Sequence, residues 1–519
     1  MLRYAITTFG CQMNVHDSDR MHEVLRSAGF SEIEEPRDAD VIVLNTCSVR
    51  EKAEQKLRSE VGRIAKLKRK RPEIVLVVAG CVAQQEGERL LKDLRGIDLV
   101  VGPDNIPEIP RLLDDLALGG PPAVRTVFDT DAPHFLSALS ALPDGAAKPS
   151  AFVTIMKGCD ERCSFCIVPH TRGPERYRPS REIIREIQGL VRAGTREITL
   201  LGQTVNSFRD PERALPPAPL ANPNDPDESE FPALLRAIAL EVPDLLRLRY
   251  TSPHPRHVTP SLIEAHTTLP VLARHVHLPV QSGSDRVLKR MIRRYTREEF
   301  EARAAALRGA AADLTLSTDI IVGFPGETEE DFAATLSLVR AVGFTGLFGF
   351  KYSQRPHTPA RRLPDDVPEA VKSERLTRLF EVSEELGGAH LARLVGTRTR
   401  VLIEGRDKGS GALWSGRSER NEIVHIAGAG DRDLAGLLLS VEIARANRHS
   451  LEGRLTEEAR LSAASRPAVN AGKTANANQS ANANSVINTN TDTNTNTKNT
   501  KNIGGRRSLP IFTPEAREG

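Results

Sequence analysis

The sequence predicts an α/β multidomain protein with four parts. These are an N-terminal parallel α/β sheet domain at residues 1–130, a partial barrel of six β/α units at 145–390, a small C-terminal β-barrel at 391–458 and a disordered tail at 465–519. Three observations support this prediction. Strand and helix signals alternate over most of the chain, short strand signals separated by glycine follow one long helical run, and the composition becomes almost wholly polar near the end.

Composition limits the class of protein. The chain has 519 residues, 39% apolar and 27% charged, with a formal net charge of +3. At roughly 100–200 residues per domain, this length predicts about three folded domains. The small net charge excludes nucleic-acid binding through overall basicity, but it allows a local basic face. Six cysteines are too few for a disulfide-rich secreted protein. The start MLRYAITTFG lacks an apolar signal region, and no apolar run approaches the roughly 20 residues of a membrane span. We expect a cytoplasmic protein with reduced thiols and no membrane contact.

Buried-strand runs alternate with helical patterns in the first 130 residues. Strands are predicted at 4–8, 40–45 and 74–79, and helices at 16–28 and 49–70. This alternation implies a parallel sheet with right-handed crossovers.

Six more strand signals, separated by helical segments, follow a Pro/Ala/Gly-rich linker at 120–150. The strands are predicted at 152–157, 196–201, 246–251, 274–278, 317–322 and 346–351, and helices at 180–193, 284–292, 298–311 and 328–341. Six such units are fewer than the eight of a closed barrel, so we expect a partial one. The proline-rich segment 211–232 is predicted to be an irregular surface insertion.

A helical run at 367–394 precedes the segment that predicts the small barrel. Its strand signals lie at Arg400–Ile403, Glu422–Ile426 and Leu437–Ala444, with glycine between them. From Arg466 the chain is rich in Asn and Thr. Such a tract buries too little apolar surface to offset its ordering entropy, which predicts disorder.

Three cysteines each follow one of the first three predicted strands. Cys11, Cys47 and Cys81 follow strands 4–8, 40–45 and 74–79 with only one or two residues in between. The carboxyl ends of parallel strands share one edge of a sheet, and ligand sites form at that edge. We therefore expect these cysteines to bind a metal or cluster. The alternative is that they are three small buried residues.

The other three cysteines form a short loop motif. Cys159, Cys163 and Cys166 follow the first predicted barrel strand, where barrel active sites form. Three thiolates can hold an iron–sulfur cluster and leave one iron without a protein ligand. A zinc ion with His170 as its fourth ligand is an alternative, and three structural cysteines are another.

The C-x-x-x-C-x-x-C motif after the first of six β/α units resembles the radical S-adenosylmethionine (SAM) superfamily. Further motifs, covering roughly residues 1–455, resemble the tRNA methylthiotransferases. These motifs are TFGCQMNVHDSDRM (8–21), LNTCSVRE (44–51), AGCVAQ (79–84), GCDERCSFCIVPHTRG (158–173), LLGQTVNSF (200–208), HLPVQSGSDRVLKRM (277–291), STDIIVGFPGETEEDF (317–332) and YSQRPHTPA (352–360). The departures from the family pattern are the charged residues 160–162, the segment 211–232 and Thr204, where Asn is commoner.

The resemblance implies two 4Fe–4S clusters and SAM as cofactors. Cys159, Cys163 and Cys166 match the ligands of the cluster that cleaves SAM, and Cys11, Cys47 and Cys81 match those of an auxiliary cluster that provides the sulfur site. Six residues after predicted strands are expected to contact SAM, with ordinary turns as the alternative interpretation. They are Gly202, Gln203, Gln281, Ser282, Gly323 and Phe324.

The resemblance also implies a reaction and a substrate. Replacing an unactivated aromatic C–H bond by a methylthio group is beyond any amino-acid side chain, so cofactors must carry it. The stretch TFGCQMN resembles the family members that act on N6-(dimethylallyl)adenosine next to the tRNA anticodon. Family members acting on threonylcarbamoyl-adenosine or on a ribosomal protein are the alternative. A non-catalytic, metal-dependent RNA-binding protein is the alternative from another class.

The expected partners are the tRNA anticodon stem-loop, an electron donor and a sulfur donor, and the chain is expected to be a monomer. Two basic runs, at 51–71 and 286–297, are candidate phosphate contacts, with solvated surface as the alternative. Residues 397–455 resemble a TRAM RNA-binding domain, in which Trp414 is expected either to stack on a base or to pack in the core. Gln12 and Asn14, beside Cys11, are expected to read the target base.

Overall fold

The computed structural model describes residues 2–48, 51–130, 135, 148–407, 413–427 and 432–464. The predicted disordered tail and part of the predicted linker lie outside these residues. The chain divides into two compact units, one ending at Thr126 and the other beginning at Val127. No described helix combines the length and apolar character needed to cross a membrane.

The first unit is a six-stranded parallel sheet with helices between its strands. Its strands are β1 (Arg3–Phe9), β2 (Ser31–Glu32), β3 (Val41–Thr46), β4 (Val75–Gly80), β5 (Leu99–Val101) and β6 (Ala123–Arg125). Its helices are α1 (Gln12–Ser27), α2 (Glu51–Lys68), α3 (Cys81–Glu86), α4 (Glu88–Asp93) and α5 (Ile109–Ala117). The strand order is β2-β1-β3-β4-β5-β6, which confirms the predicted parallel sheet.

The central strands of this sheet are apolar because both faces are covered. Every residue of β3 is buried, as expected for a parallel strand between two layers of helices. Helix α1 begins at Gln12 rather than at residue 16, because Cys11 adopts the extended backbone of a helix N-cap directly after β1.

The second unit begins with the six predicted strands of the partial barrel. Its parallel strands are β7 (Ser150–Thr154), β10 (Glu197–Leu201), β11 (Arg247–Tyr250), β12 (His275–His277), β13 (Thr315–Val322) and β14 (Gly346–Lys351), with a short hairpin of β8 (Met156–Lys157) and β9 (Arg176–Tyr177). The helices are α6 (Val168–Arg172), α7 (Ser180–Arg192), α8 (Phe231–Glu241), α9 (Pro260–Thr268), α10 (Asp285–Met291), α11 (Arg297–Ala310), α12 (Glu329–Val342) and α13 (Glu369–Arg393).

The barrel strands run in sequence order. Sheets β11-β10-β7 and β12-β13-β14 are joined by a parallel bridge between Leu248 and Leu272. The segment predicted to be irregular, 211–232, includes the start of a helix, because α8 begins at Phe231. Pro232 lies in the first turn of that helix, where its missing N–H costs nothing.

The C-terminal part is a closed five-stranded barrel. Its strands are β15 (Arg398–Arg406), β16 (Trp414–Ser418), β17 (Ile423–Ala427), β18 (Leu438–Ala446) and β19 (Leu451–Leu455), followed by α14 (Glu457–Ala464). The strand order is β15-β16-β17-β19-β18. The sequence patterns missed β16 and β19. Helix α14 continues past the predicted barrel end at 458 because Ala459 packs into the barrel core.

A buried ion cluster joins the two barrels of the second unit. Arg247 and Arg249 on β11 both pair with Glu197 on β10. The same arginines donate to backbone carbonyls of β16, Arg247 to Arg417 at 3.0 Å and Arg249 to Ser418 at 2.8 Å. The predicted boundaries at 390 and 458 stay predictions, since both barrels lie in one compact unit.

Candidate functional site: two cysteine trios

The first cysteine trio lies at the ends of three neighbouring strands. In the register of β1, β3 and β4, Phe9 pairs with Thr46 and Thr46 pairs with Gly80. Cys47 and Cys81 directly follow Thr46 and Gly80, and Cys11 follows Phe9 after one glycine. The three cysteines therefore leave one edge of the sheet from adjacent strands.

The strand order places this edge at a topological switch point. Helix α1 returns the chain to β2 on one side of β1, whereas α2 follows β3 on the other side. Ligands of open α/β sheets bind outside the carboxyl ends of the strands where the order reverses in this way. Cys11 is also the N-cap residue of α1, with an extended backbone.

Two glycines allow the strand ends to approach one another. A Cβ atom on Gly10 would lie 2.4 Å from the Cβ atom of Cys47. Gly80 has φ of +91°, and a Cβ atom there would lie 2.3 Å from Asn45 Oδ1. Larger residues at either position would push the cysteine-bearing loops apart.

Asn14 is part of the support for these loops rather than a reader of the substrate base. It is fully buried. Its side chain accepts from Cys11 Sγ at 3.3 Å and donates to Asn45 Oδ1 at 3.1 Å. The expectation that Asn14 reads the base is wrong, because its polar atoms face these partners.

The second cysteine trio lies in the loop between β8 and α6. Cys159 N donates to Gly173 O at 3.1 Å, and Cys166 N donates to Cys163 O at 3.1 Å, which curls the loop. Ser164, between two of the cysteines, donates to the end of α10, through N to Met291 O at 2.9 Å and through Oγ to Arg290 O at 2.8 Å. The loop is thus held against α10 by its own backbone.

Two side chains contact sulfur atoms of this trio. Thr204 Oγ1 lies 3.2 Å from Cys159 Sγ, so this departure from the family pattern stands beside the first cysteine. Arg293 Nη1 donates to Cys163 Sγ at 3.2 Å. Sequence reasoning missed the role of Arg293, since nothing local connects two residues that lie 130 positions apart.

Burial disfavours the thiolate forms of Cys159 and Cys166. It raises the pKa of Cys159 to about 12. It also raises the pKa of Cys166, and the neighbouring thiols of Cys163 and Cys159 add to the effect. Metal binding at such a site releases protons, because thiolate is the ligand form.

The arrangement fits a cluster better than a single ion. Within the described ranges, no three His, Cys, Asp or Glu side chains converge closely enough to hold one metal ion. A cubane takes its thiolates on separate irons, so its ligands need not converge on a point. The ring of His170, the alternative zinc ligand, packs beside that of His357.

The charged residues 160–162 in the loop are partly used in contacts with the rest of the barrel. Glu161 Oε1 lies 3.4 Å from His257 Nε2 and 4.0 Å from Arg256 Nη1. Burial alone raises the pKa of Glu161, but His257 and the arginines outweigh it and lower that pKa. Glu161 is therefore an anchoring carboxylate.

Of the expected SAM contacts, Gln203 is the most suited to binding a ligand. Both atoms of its side-chain amide are buried and have no hydrogen-bond partner among the described residues. Buried amides without partners are rare and expensive, so this pair suits the polar amino and carboxylate groups of a ligand. A Cβ atom on Gly202 would lie 2.5 Å from Met156 Cγ, so Gly202 lets the chain pass close to Met156.

The other expected contacts differ in character. Gln281 has φ of +75°, and its backbone pairs with β13. Ser282 is fully buried and its hydroxyl lies 3.3 Å from Thr335 Oγ1. The Gly323 N–H donates to Glu327 at 2.6 Å. The Phe324 ring is fully buried in a small apolar cluster. The hydroxyl of Ser282 and the ring of Phe324 are thus engaged in packing, and the SAM contacts expected of these four residues stay predictions.

The predicted RNA-binding groups are only partly available. In the run 286–297, Arg286 pairs with Asp331, Arg297 pairs with Glu301, and Arg293 is buried. In the run 51–71, Lys68 pairs with Asp98, and Arg71 pairs with Asp40 and Glu73.

Trp414 is a core residue of the C-terminal barrel, 3% exposed. The guanidinium of Arg406 lies 4.4 Å from its ring centroid. Base stacking by Trp414 is therefore wrong, and core packing, the alternative, is confirmed.

Three family models match the chain. The first 100 residues match a family described as Uncharacterized protein family UPF0004, at residues 3–102. The Radical SAM superfamily matches residues 153–339, and the TRAM domain matches residues 392–456.

Curated relatives cover most of the chain. A protein of Sorangium cellulosum named tRNA-2-methylthio-N(6)-dimethylallyladenosine synthase is 72% identical, over 88% of this chain and 94% of that one. A protein of the same name from Acidithiobacillus ferrooxidans is 45% identical over 86% and 96%. Among solved structures, the radical SAM methyltransferase TsrM of Kitasatospora setae gives a TM-score of 0.45 at 15% identity, over 69% of this chain and 74% of that one.

The family model of the radical SAM superfamily covers the loop that carries Cys159, Cys163 and Cys166. The enzymes of this superfamily use a 4Fe–4S cluster and SAM. Both cysteine trios are present, and the relatives that match most of the chain share one name. This protein therefore belongs to the family of tRNA-2-methylthio-N6-dimethylallyladenosine synthases, the radical SAM tRNA methylthiotransferases.

Proposed function

We propose that this chain converts N6-(dimethylallyl)adenosine next to the tRNA anticodon to its 2-methylthio derivative. The observation that carries the proposal is the presence of two cysteine trios, each gathered by its own fold unit, in a chain 72% identical to a relative of that name. A chemistry with two clusters needs two such ligand sets, and a metal-dependent RNA-binding protein would need neither Gln203 nor Arg293 placed as they are.

The residues divide the work as follows. Cys159, Cys163 and Cys166 would hold the cluster that, with SAM, would supply the one-electron chemistry for a C–H bond beyond the reach of side chains. Gln203 binds the polar end of SAM through its unpartnered amide. Gln281 and the backbone of Gly202 and Gly323 would line the path by which SAM reaches this cluster.

The auxiliary cluster would be held by the first trio. Cys11, Cys47 and Cys81 would supply its thiolate ligands, and the cluster would supply the sulfur site. Asn14 keeps Cys11 in place, and the glycines at 10 and 80 leave room for the loops. Ser282 and Phe324 act through packing.

The substrate brings phosphates, for which one basic cavity is suited. A cavity of about 420 Å³ is lined by His357, Thr358, Pro359, Arg361 and Arg362. Arg361 and Arg362 are exposed, and no carboxylate pairs with either among the described residues. The Ala360 N–H donates to Ser164 O in the cysteine loop at 2.8 Å. The cavity thus lies beside the cysteine loop, where the phosphates flanking a reacting base would lie.

The expected electron donor and sulfur donor remain part of the proposal, as does action as a monomer in the cytoplasm, where tRNA is modified. A target base in a folded anticodon loop would leave its stack before reacting.

Nucleoside mass spectrometry of tRNA from a deletion strain tests the function. The strain should accumulate N6-(dimethylallyl)adenosine and lack its 2-methylthio derivative, and the wild-type gene should restore it. If the deletion strain instead lacked the methylthio group on threonylcarbamoyl-adenosine or on a ribosomal protein, the chain would act on the substrate of a related methylthiotransferase family. Unchanged nucleosides would contradict the proposal.

The basic cavity has its own test, which uses tRNA affinity as a function of salt. The double variant Arg361→Ala/Arg362→Ala should bind tRNA more weakly, and the slope of log affinity against log salt should fall by roughly 1–2, since each lost phosphate contact removes about 0.7–0.9. Arg185→Ala/Arg192→Ala, on the exposed face of α7, is the charge-matched control. Equal slopes in the two double variants would remove the cavity from the RNA-binding surface.

A further inference from the structure

Arg293 is a buried cation without a carboxylate partner. Its side chain is 5% exposed. Its guanidinium donates to Tyr295 OH at 2.9 Å, to Pro279 O at 3.0 Å and to Cys163 Sγ at 3.2 Å. No described Asp or Glu lies within ion-pair distance of it.

Those three acceptors give each guanidinium nitrogen one hydrogen bond, but none of them is a carboxylate that would balance its charge. Taking a cation out of water is strongly unfavourable unless an anion compensates it. Other buried arginines of this unit obey that rule, since Arg178 pairs with Glu186 and Arg375 pairs with Glu327. Tyr295 and Cys163, which both contact Arg293, are ionisable, but thiolate is the form in which cysteine binds a metal, so the sulfur of Cys163 is the anion that compensates Arg293 when a cluster binds.

The backbone places Arg293 at this sulfur independently of the contact itself. Helix α10 ends at Met291, and Arg293 N donates back to Leu288 O at 3.0 Å. Its neighbours Ile292 and Arg294 both have left-handed backbones, with φ of +59° and +52°. The chain therefore turns sharply on both sides of Arg293. Ser164 holds the cysteine loop to the same helix end.

We infer that Arg293 is the fixed counter-charge of the cluster held by Cys159, Cys163 and Cys166, and that it raises the reduction potential of that cluster. The inference rests on the proposed function only in that these cysteines hold a cluster.

The sign follows from electrostatics. Reduction adds one negative charge to a cluster already bound by thiolates. A cation fixed nearby in a medium of low dielectric stabilises the reduced form more than the oxidised form. A hydrogen bond to a ligand sulfur acts in the same direction, since both net charge and sulfur hydrogen bonds set cluster potentials. Arg293 is thus a positioning residue that acts through the cluster.

The test measures a potential. In a chain with Cys11, Cys47 and Cys81 replaced by Ala, only the cluster of interest is reconstituted, and its midpoint is measured by a redox titration followed by electron paramagnetic resonance. Arg293→Gln should lower the equilibrium constant for one-electron reduction at least tenfold, about 59 mV. Arg293→Lys, which keeps the charge, should stay within about threefold.

Arg294→Gln is the matched control, because it removes the same charge from the next residue, which is exposed and screened by solvent ions. The midpoint potential of the cluster in Arg294→Gln should match that in the chain with Arg at both 293 and 294.

Equal potentials with Arg or Gln at 293 would overturn the inference. If Arg293→Gln takes up no iron, the iron content of Arg293→Lys decides between the interpretations. Iron uptake by Arg293→Lys at the level of the unsubstituted chain would support the need for a positive charge. Loss of iron from both variants would overturn the inference and assign Arg293 a packing role. An unsubstituted chain with no iron–sulfur signal would instead contradict the proposed function.

Discussion

Asn14 and Asn45 form a reciprocal pair beneath the first cysteine trio. Asn14 Nδ2 donates to Asn45 Oδ1 at 3.1 Å, and Asn45 Nδ2 donates to Asn14 O at 2.8 Å. Both residues are fully buried. The pair fastens the start of α1 to the end of β3, which are the two segments that carry Cys11 and Cys47.

Asn45→Ala should loosen this edge of the sheet. It leaves buried polar groups of Asn14 unpaired, which costs roughly 1–3 kcal/mol. Hydrogen exchange of peptides from β1 and β3, read by mass spectrometry, should become about tenfold or more faster. Ser59→Ala on the exposed side of α2 is the control and should leave exchange within the error, as surface substitutions do. Unchanged exchange in Asn45→Ala would show that the pair contributes nothing.

Gly80→Ala should prevent assembly of the first cysteine trio. The added Cβ atom would lie 2.3 Å from Asn45 Oδ1, at φ of +91°. Gly29→Ala is a matched control, because Gly29 has φ of +86° and no atom within 4 Å of an added Cβ. Both variants carry the strain of a left-handed backbone, but only Gly80→Ala adds the clash. We expect iron content to fall by about half in Gly80→Ala and to stay unchanged in Gly29→Ala. An equal loss in both would assign the effect to backbone strain.

The iron content of the reconstituted protein should correspond to two clusters per chain. Anaerobic reconstitution should load about eight irons per chain, held by cysteine as two clusters of four. Replacing Cys159, Cys163 and Cys166 by Ala should leave about four irons and abolish SAM cleavage. Stoichiometric zinc without labile sulfide would contradict both cluster assignments.

Substitutions in the two cysteine trios should affect different steps of the reaction. With Cys11, Cys47 or Cys81 replaced by Ala, reductive cleavage of SAM should stay measurable, because the trio that binds SAM is intact, while the methylthio product disappears. Chromatography of SAM fragments and nucleoside mass spectrometry measure the two outcomes on one reaction. Product formation at the unsubstituted rate would remove the auxiliary role of the first trio.

Stability of the C-terminal barrel should depend on Glu422 in acid. Burial alone raises the pKa of Glu422, but hydrogen bonds from His390 and Ser418 and the charge of Arg420 outweigh it and lower that pKa to about 2. A carboxyl whose pKa is lower in the folded chain than in the unfolded one stabilises the fold above its unfolded pKa. That contribution is lost as the pH falls from about 4.5 towards about 2.

The single tryptophan, Trp414, reports on this barrel because it lies in the barrel core. The denaturant midpoint of its fluorescence should fall between about pH 6 and about pH 3, and Glu422→Gln should reduce that difference. An identical pH dependence in Glu422→Gln would show that other carboxyls carry it.

The strand pattern and the cysteine placement could be predicted because both depend on local sequence. The run VIVL at the start of β3 is apolar throughout, which indicates a strand covered on both faces. Once a sheet is parallel, residues directly after its strands share one edge, so Cys11, Cys47 and Cys81 could be brought together without coordinates. The short strands β16 and β19 were missed because Gly416 and Gly453 interrupt their apolar pattern.

The sequence by itself thus determined the sheet and barrel classes and the two cysteine trios that are proposed to hold clusters. Only the tertiary structure decided which side chains support them. Arg293 meets Cys163 across 130 residues, and Asn14 faces Asn45 rather than the substrate. Trp414 packs inside its barrel rather than on RNA. The physical reason is that secondary structure follows from periodicity within a segment, whereas the partner of a buried polar group depends on how distant segments pack and which charges they leave to be compensated.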